Sequence, residues 1–239
     1  MERKYKAFIS YRHAELDSAV AKTLHTLIEQ YRIPKALRTN GEKKMGIVFR
    51  DEEELSATND LTDKIYTALD NSEHLVVICT KATLQSPWVT KEVEHFLKNH
   101  ERDKAHIILA DGEPMEVFPR PLTHHELENG MIEVTEPMAV DVRAEDIPAV
   151  KKRIKSQILR LFAAMLGCPY DALAMREQHR KRQRFAAIMS VILAIAVGFS
   201  TVLLVKNHQI DRKNAELDSA NTALEAKNEE LDKIGRAHV

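Results

Sequence analysis

Residues 185–205 form a run of 21 positions without a single charge, and no other feature limits the fold of this 239-residue chain as strongly. At 1.5 Å per residue such a helix spans about 30 Å, the thickness of a bilayer's hydrocarbon core. A core helix of the same length keeps a polar side, whereas only Ser190, Gly198, Ser200 and Thr201 interrupt the apolar residues here. The run therefore reads as a transmembrane helix. Arg176, Arg180, Lys181, Arg182 and Arg184 crowd its upstream flank, against the sparser Lys206, Arg212 and Lys213 downstream. Basic flanks stay in the cytoplasm, so the upstream part is expected there and the downstream part on the opposite side. The two parts must be read separately.

The upstream part has a globular composition. The chain is 44% hydrophobic and 30% charged, and its formal net charge of -1 gives no reason to expect nucleic acid. Its two cysteines, Cys79 and Cys168, are too few for a disulfide framework and suit a reducing compartment. Residues 1–6 lack the apolar stretch of a signal peptide. Ala7, Phe8 and Ile9 begin a short strand that ends in Ser10, Tyr11, Arg12 and His13. Asp17 is positioned to cap a helix with the apolar face Val20, Leu24, Leu27, Ile28 and Tyr31, stopped by Pro34. Ile47, Val48 and Phe49 make a second strand, and a polar loop over 50–59 leads to a helix with Leu61, Ile65, Ala68 and Leu69. The run at 75–79 is apolar without alternation, as in a strand covered on both faces. Residues 106–109 and 138–141 supply two more strands, and a last helix over 146–166 ends at Gly167. Alternation of strands and helices predicts a parallel sheet between helical layers. The stretch 111–137 is the least regular.

Chemistry concentrates after the central strand. Ser86 can cap a helix and Pro87 fits its first position. Trp88 and Glu92, four residues apart, then share one face, while Val89, Val93, Phe96 and Leu97 turn toward the core. Ligands of open α/β sheets bind just beyond the carboxyl ends of strands, which is where this pair is expected.

The segments Lys6-Ala7-Phe8-Ile9-Ser10-Tyr11, Val48-Phe49-Arg50-Asp51, Val76-Val77-Ile78-Cys79 and Ser86-Pro87-Trp88 leading to Glu92 resemble, in order and spacing, a bacterial Toll/interleukin-1 receptor (TIR) domain. The resemblance covers roughly residues 1–166. It implies a flavodoxin-like α/β fold, with a five-stranded parallel sheet and helices on both faces. It also implies an NAD+ nucleosidase that splits the nicotinamide–ribose bond, as hydrolase or cyclase, in signalling or defence. NAD+ is then the substrate and no cofactor is needed. Glu92 matches the family's catalytic glutamate in a Trp-x-x-x-Glu motif. Phe8, Ser10, Tyr11 and Arg12 are implied to line the cleft, with Arg50 and Asp51 beside it. Trp88 suits either a pocket wall or plain core filling, and Arg12 either a diphosphate contact or a surface charge. The acidic run 51–54 is a soluble loop face or, as in the family, part of domain assembly. The alternative function is a non-catalytic adaptor that captures other TIR domains through the loop over 50–59.

No Gly-x-Gly-x-x-Gly occurs, and the Gly41/Gly46 pair is followed by Ile47, so neither dinucleotide redox nor phosphate-loop chemistry is indicated. His124, His125 and Glu126 are too close together for a metal helix and read as surface loop. Beyond the apolar run, Ile210, Leu217, Leu224 and Leu231 recur every seven residues, with Asn214, Asn221 and Asn228 between them. That spacing suits a short coiled coil, with a solvated single helix as the plain alternative. Ser190, Ala194 and Gly198 form a small-residue stripe that would let two membrane helices approach. The expected partners are thus NAD+, the membrane and further copies of the chain, joined through the TIR domain, membrane helix and coil. The expected division is a TIR domain over 1–166, a basic juxtamembrane segment over 167–184, the membrane helix over 185–205 and the coil over 206–233. Residues 234–239 break the heptad and resemble a translated sequencing adapter, which implies that the natural protein continues further.

Overall fold

The computed structural model describes residues 4–38, 41–50, 59–126 and 130–237. Its elements follow in order: β1 (Tyr5–Ser10), α1 (Glu15–Gln30), β2 (Val48–Arg50), α2 (Asn59–Asp70), β3 (Ser72–Cys79), α3 (Pro87–Asn99) and β4 (Ala105–Leu109). Two single-turn helices, α4 (Pro114–Val117) and α5 (Arg120–Thr123), precede the strands β5 (His124–Glu126), β6 (Ile132–Val134) and β7 (Ala139–Asp141). Two long helices, α6 (Ile147–Met165) and α7 (Tyr170–Ala237), complete the chain. Two compact units are present, 1–177 and 178–239.

In the first unit five strands pair in the order β2-β1-β3-β4-β7, all parallel. Period-two alternation sends β1's side chains to two faces. Ala7, Ile9 and Tyr11 pack with Val20, Leu24 and Ile28 of α1 and with Ile154, Leu161 and Phe162 of α6. Phe8 packs on the opposite face with Leu69 of α2 and Val89, Val93 and Phe96 of α3. The expected five-stranded sheet with helices on both faces is therefore present. β3 lies between β1 and β4, and Val76, Val77, Ile78 and Cys79 are wholly buried, which explains their unbroken hydrophobicity.

Several local expectations change. α1 begins two residues before Asp17, with Ala14 at the cap position, because Asp17 is drawn inward to another partner. Ser86 occupies the cap of α3 but makes no side-chain cap bond. His124, His125 and Glu126 are not surface loop: they form β5, which pairs antiparallel with β6 in a separate two-stranded sheet. The first unit also runs past Gly167, because Leu173 is fully buried with the α6 core and the Tyr31 hydroxyl bonds Glu177 at 3.1 Å.

Gly112, just after β4, adopts φ +83°, and a Cβ there would lie 2.4 Å from Val117 Cγ1. Neither the backbone conformation nor the space admits a side chain. Gly112→Ala is expected to cost about 1–3 kcal/mol, read as a lower unfolding midpoint.

The second unit is helical, and every described side chain from 182 to 228 is exposed. Its stretch 185–205 is long and apolar enough to cross a membrane.

Candidate functional site

The chain passes from β1 outward to β2 and returns to β3 on β1's other side, so the direction of winding reverses between β1 and β3. Open sheets leave a crevice at the carboxyl ends of two such strands. Ser10 ends β1, and Cys79 ends β3.

Ser10 shares Phe8's side of the sheet and so meets α3. Its hydroxyl donates to Glu92 Oε2 at 2.5 Å, across 82 residues of sequence. Glu92 is 8% exposed, one of few charged side chains so enclosed. A buried carboxylate is retained only where hydrogen bonds and nearby dipoles compensate its lost hydration. α3 presents Trp88 one turn earlier on the same face. Trp88 is 43% exposed, with Lys91 Nζ 5.0 Å from its ring centroid, so it does not fill core.

Arg12 follows the same alternation. Its Nη1 donates to the Ala82 carbonyl at 3.1 Å and to Gln85 Oε1 at 2.7 Å, tying the β1 edge to the turn that starts α3. Phe8 is wholly buried and stacks on Phe49 at 5.2 Å, beneath the crevice rather than in it. Tyr11 faces the α1/α6 layer and stacks on His13. Arg50 ends β2 beside Ile9. Asp51 and the rest of the acidic run lie outside the described residues.

Sequence reasoning missed the role of Asp17. At 1% exposure, its carboxylate accepts from Thr80 Oγ1 at 3.1 and 3.2 Å. Thr83 Oγ1 accepts the Thr80 amide at 2.8 Å and donates to the Ile78 carbonyl at 3.2 Å. Burial pushes Asp17 up to about 6, although the Thr80 bond and the Arg12 charge pull the other way. Asp17 and Arg12 thus hold the two ends of one turn, and that turn orients Trp88 and Glu92. Cys79 is fully buried, and burial pushes its thiol far above its usual range, which leaves it no nucleophilic role.

The doubly covered parallel sheet, with a buried glutamate at its winding reversal, places this domain among the flavodoxin-like α/β folds. Residues 7–127 match the family described as TIR domain, and the chain belongs to that family. A relative in Actinoplanes sp., the NAD(+) hydrolase ApTIR, is 29% identical over 244 residues, covering 93% of this chain and 32% of the relative. The chain thus spans about a third of that protein's length. Among solved structures, the TIR domains of the activated Roq1 resistosome recognizing the pathogen effector XopQ align at 23% identity. That alignment has a TM-score of 0.35 and covers 46% of this chain and 60% of the other.

Proposed function

We propose that this chain is a membrane-anchored TIR-domain NAD+ nucleosidase, activated by self-association and acting in signalling or defence. The carrying observation is Glu92, enclosed at the sheet's carboxyl edge and held by Ser10 beside the exposed Trp88. The likeness to the NAD(+) hydrolase ApTIR, over nearly the whole of this chain, supports the same chemistry.

Cleavage begins as the C–N bond joining nicotinamide to the ribose lengthens, its electron pair leaving with the base. Nicotinamide departs neutral, so no acid need protonate it. Positive charge then accumulates on the ribose as an oxocarbenium-like centre, which a fixed carboxylate stabilises more than it does the ground state. Glycosidases meet the same demand with carboxylates. Water, or a nucleophile within the substrate, completes the reaction. The Ser10 bond fixes the carboxylate's direction, and Arg12 and Asp17 fix the turn behind it. The uncharged helix over 185–205 supplies the anchor.

The direct test is to incubate the full chain in detergent or vesicles with NAD+ and separate the products by chromatography. Nicotinamide release above a no-enzyme control is expected, and its absence from clustered protein would leave the adaptor reading. Trp88→Ala separates binding from folding. An exposed side chain contributes little to the core, so the melting temperature should hold within a few degrees. Loss of a stacking wall, worth about 1–3 kcal/mol per base, should raise KM roughly 10- to 100-fold. An unchanged KM removes Trp88 from the pocket.

A further inference from the structure

Between residues 206 and 228, α7 carries only three large apolar side chains, Ile210, Leu217 and Leu224. All occupy one position of a seven-residue repeat and are 53%, 61% and 59% exposed. Leu203 precedes them by one repeat, and Asn207, Asn214, Asn221 and Asn228 occupy the other seam position at the same interval. A seam of leucine at d and asparagine at a leaves apolar area uncovered on a lone helix.

The flanks identify what covers it. Lys206, Lys213 and Lys227 occupy g, and Asp211, Asp218 and Glu225 occupy e. In a parallel, in-register pair each g residue faces the e residue five positions later on the other helix. Lys206 then meets Asp211 of the second copy, and Lys213 meets Asp218, on both sides of the seam. An antiparallel pair instead sets g against g and e against e, lysine on lysine and acid on acid. Equivalent asparagines also meet each other only in the parallel register.

We propose that residues 203–228 bind a second copy of this chain as a parallel, in-register, two-stranded coiled coil. This deepens the self-association reading by giving it a direction. Parallel strands join two copies at like ends, so one coil gathers two amino-terminal domains on one side of the membrane.

The test uses the full chain in detergent with Cys168→Ser, leaving only the buried Cys79. Single cysteines are introduced on the seam (Ile210→Cys, Leu217→Cys, Leu224→Cys) or on the outer face (Arg212→Cys, Ser219→Cys, Ala226→Cys). Seam positions should form same-residue disulfide dimers about tenfold more than outer ones. Equal yields, or none at the seam, overturn the proposal. With the seam cysteine at 217, the double change Lys206→Glu, Lys213→Glu should reduce dimer yield. Mixing that chain with one carrying Asp211→Lys and Asp218→Lys should restore it. Indifference to charge reversal overturns the parallel assignment. Neither readout depends on NAD+ cleavage, so its failure and that of the enzymatic reading remain distinct.

Discussion

Under the proposed function, Glu92→Gln is expected to lower kcat for NAD+ cleavage by about 10³-fold, which corresponds to ~4 kcal/mol of transition-state stabilisation. The amide keeps the carboxylate's shape and can still accept the Ser10 hydroxyl through its remaining carbonyl oxygen, so the α3 packing survives. What disappears is the negative charge opposite the developing ribose cation. Fixed charges in enclosed sites act strongly because no water need reorganise around them as the reaction proceeds. Loss of that charge should fall on kcat more than on KM, since the substrate ribose is neutral before the bond breaks. Ser10→Ala should cost only about tenfold, as the carboxylate remains but turns more freely. The measurement is steady-state nicotinamide release, with the melting curve of each variant as the folding control. A Glu92→Gln protein that retains activity within threefold of the parent would remove this residue from catalysis.

The parts of this site that were legible before the structure are those with local signatures. Residues 75–79 announce a central strand because burial on both faces leaves no polar position. Pro87 marks the start of α3, and four-residue spacing pairs Trp88 with Glu92. The Ser10–Glu92 bond spans 82 residues and the Thr80–Asp17 bond 63, so no window of sequence contains either contact. Aspartate before an apolar periodic segment usually caps a helix, and the local sequence around Asp17 predicts no more than that. Its capture by Thr80 depends on β3 lying beside β1, which only the topology supplies. The β5/β6 pair has no sequence signature for the opposite reason. Ile132 and Val134 are 65% and 54% exposed, so that hairpin lacks the buried face whose alternation reveals a strand. The e/g charges beside the coil seam were present in the sequence from the start, but they acquire meaning only once Leu203 to Asn228 are seen to share one uninterrupted helix.

At the sheet's other end, acidification from pH 7 to 4.5 should destabilise the fold through His74 and His106. The two rings meet across β3 and β4, with His106 Nε2 3.1 Å from His74 Nδ1. Burial lowers His74 to about 3, helped by His106, Lys6 and Lys104, and burial lowers His106 to about 4 despite Asp103. Both lie below the value of about 6.5 expected in the unfolded chain. The neutral pair therefore stabilises the fold fully above pH 6.5, and that contribution is lost as pH falls toward 4. At pH 4.5 each histidine forfeits about 3 kcal/mol. Asp17 works in the opposite sense: its folded value, about 6, exceeds the ordinary 3.8, so its stabilisation is complete at low pH and is lost as pH rises through 6. It returns about 2 kcal/mol on acidification to pH 4.5, leaving a net loss of roughly 4 kcal/mol from the three groups. In the window between pH 4.5 and 6, unfolding takes up two protons at the histidines and releases one from Asp17. Urea unfolding followed by the single tryptophan gives this balance as the slope of stability against pH. Asp17→Asn should steepen the slope by one proton, and His106→Gln should flatten it by one. A slope that His106→Gln leaves unchanged would mean that the pair is already protonated, or already hydrated, in the folded domain.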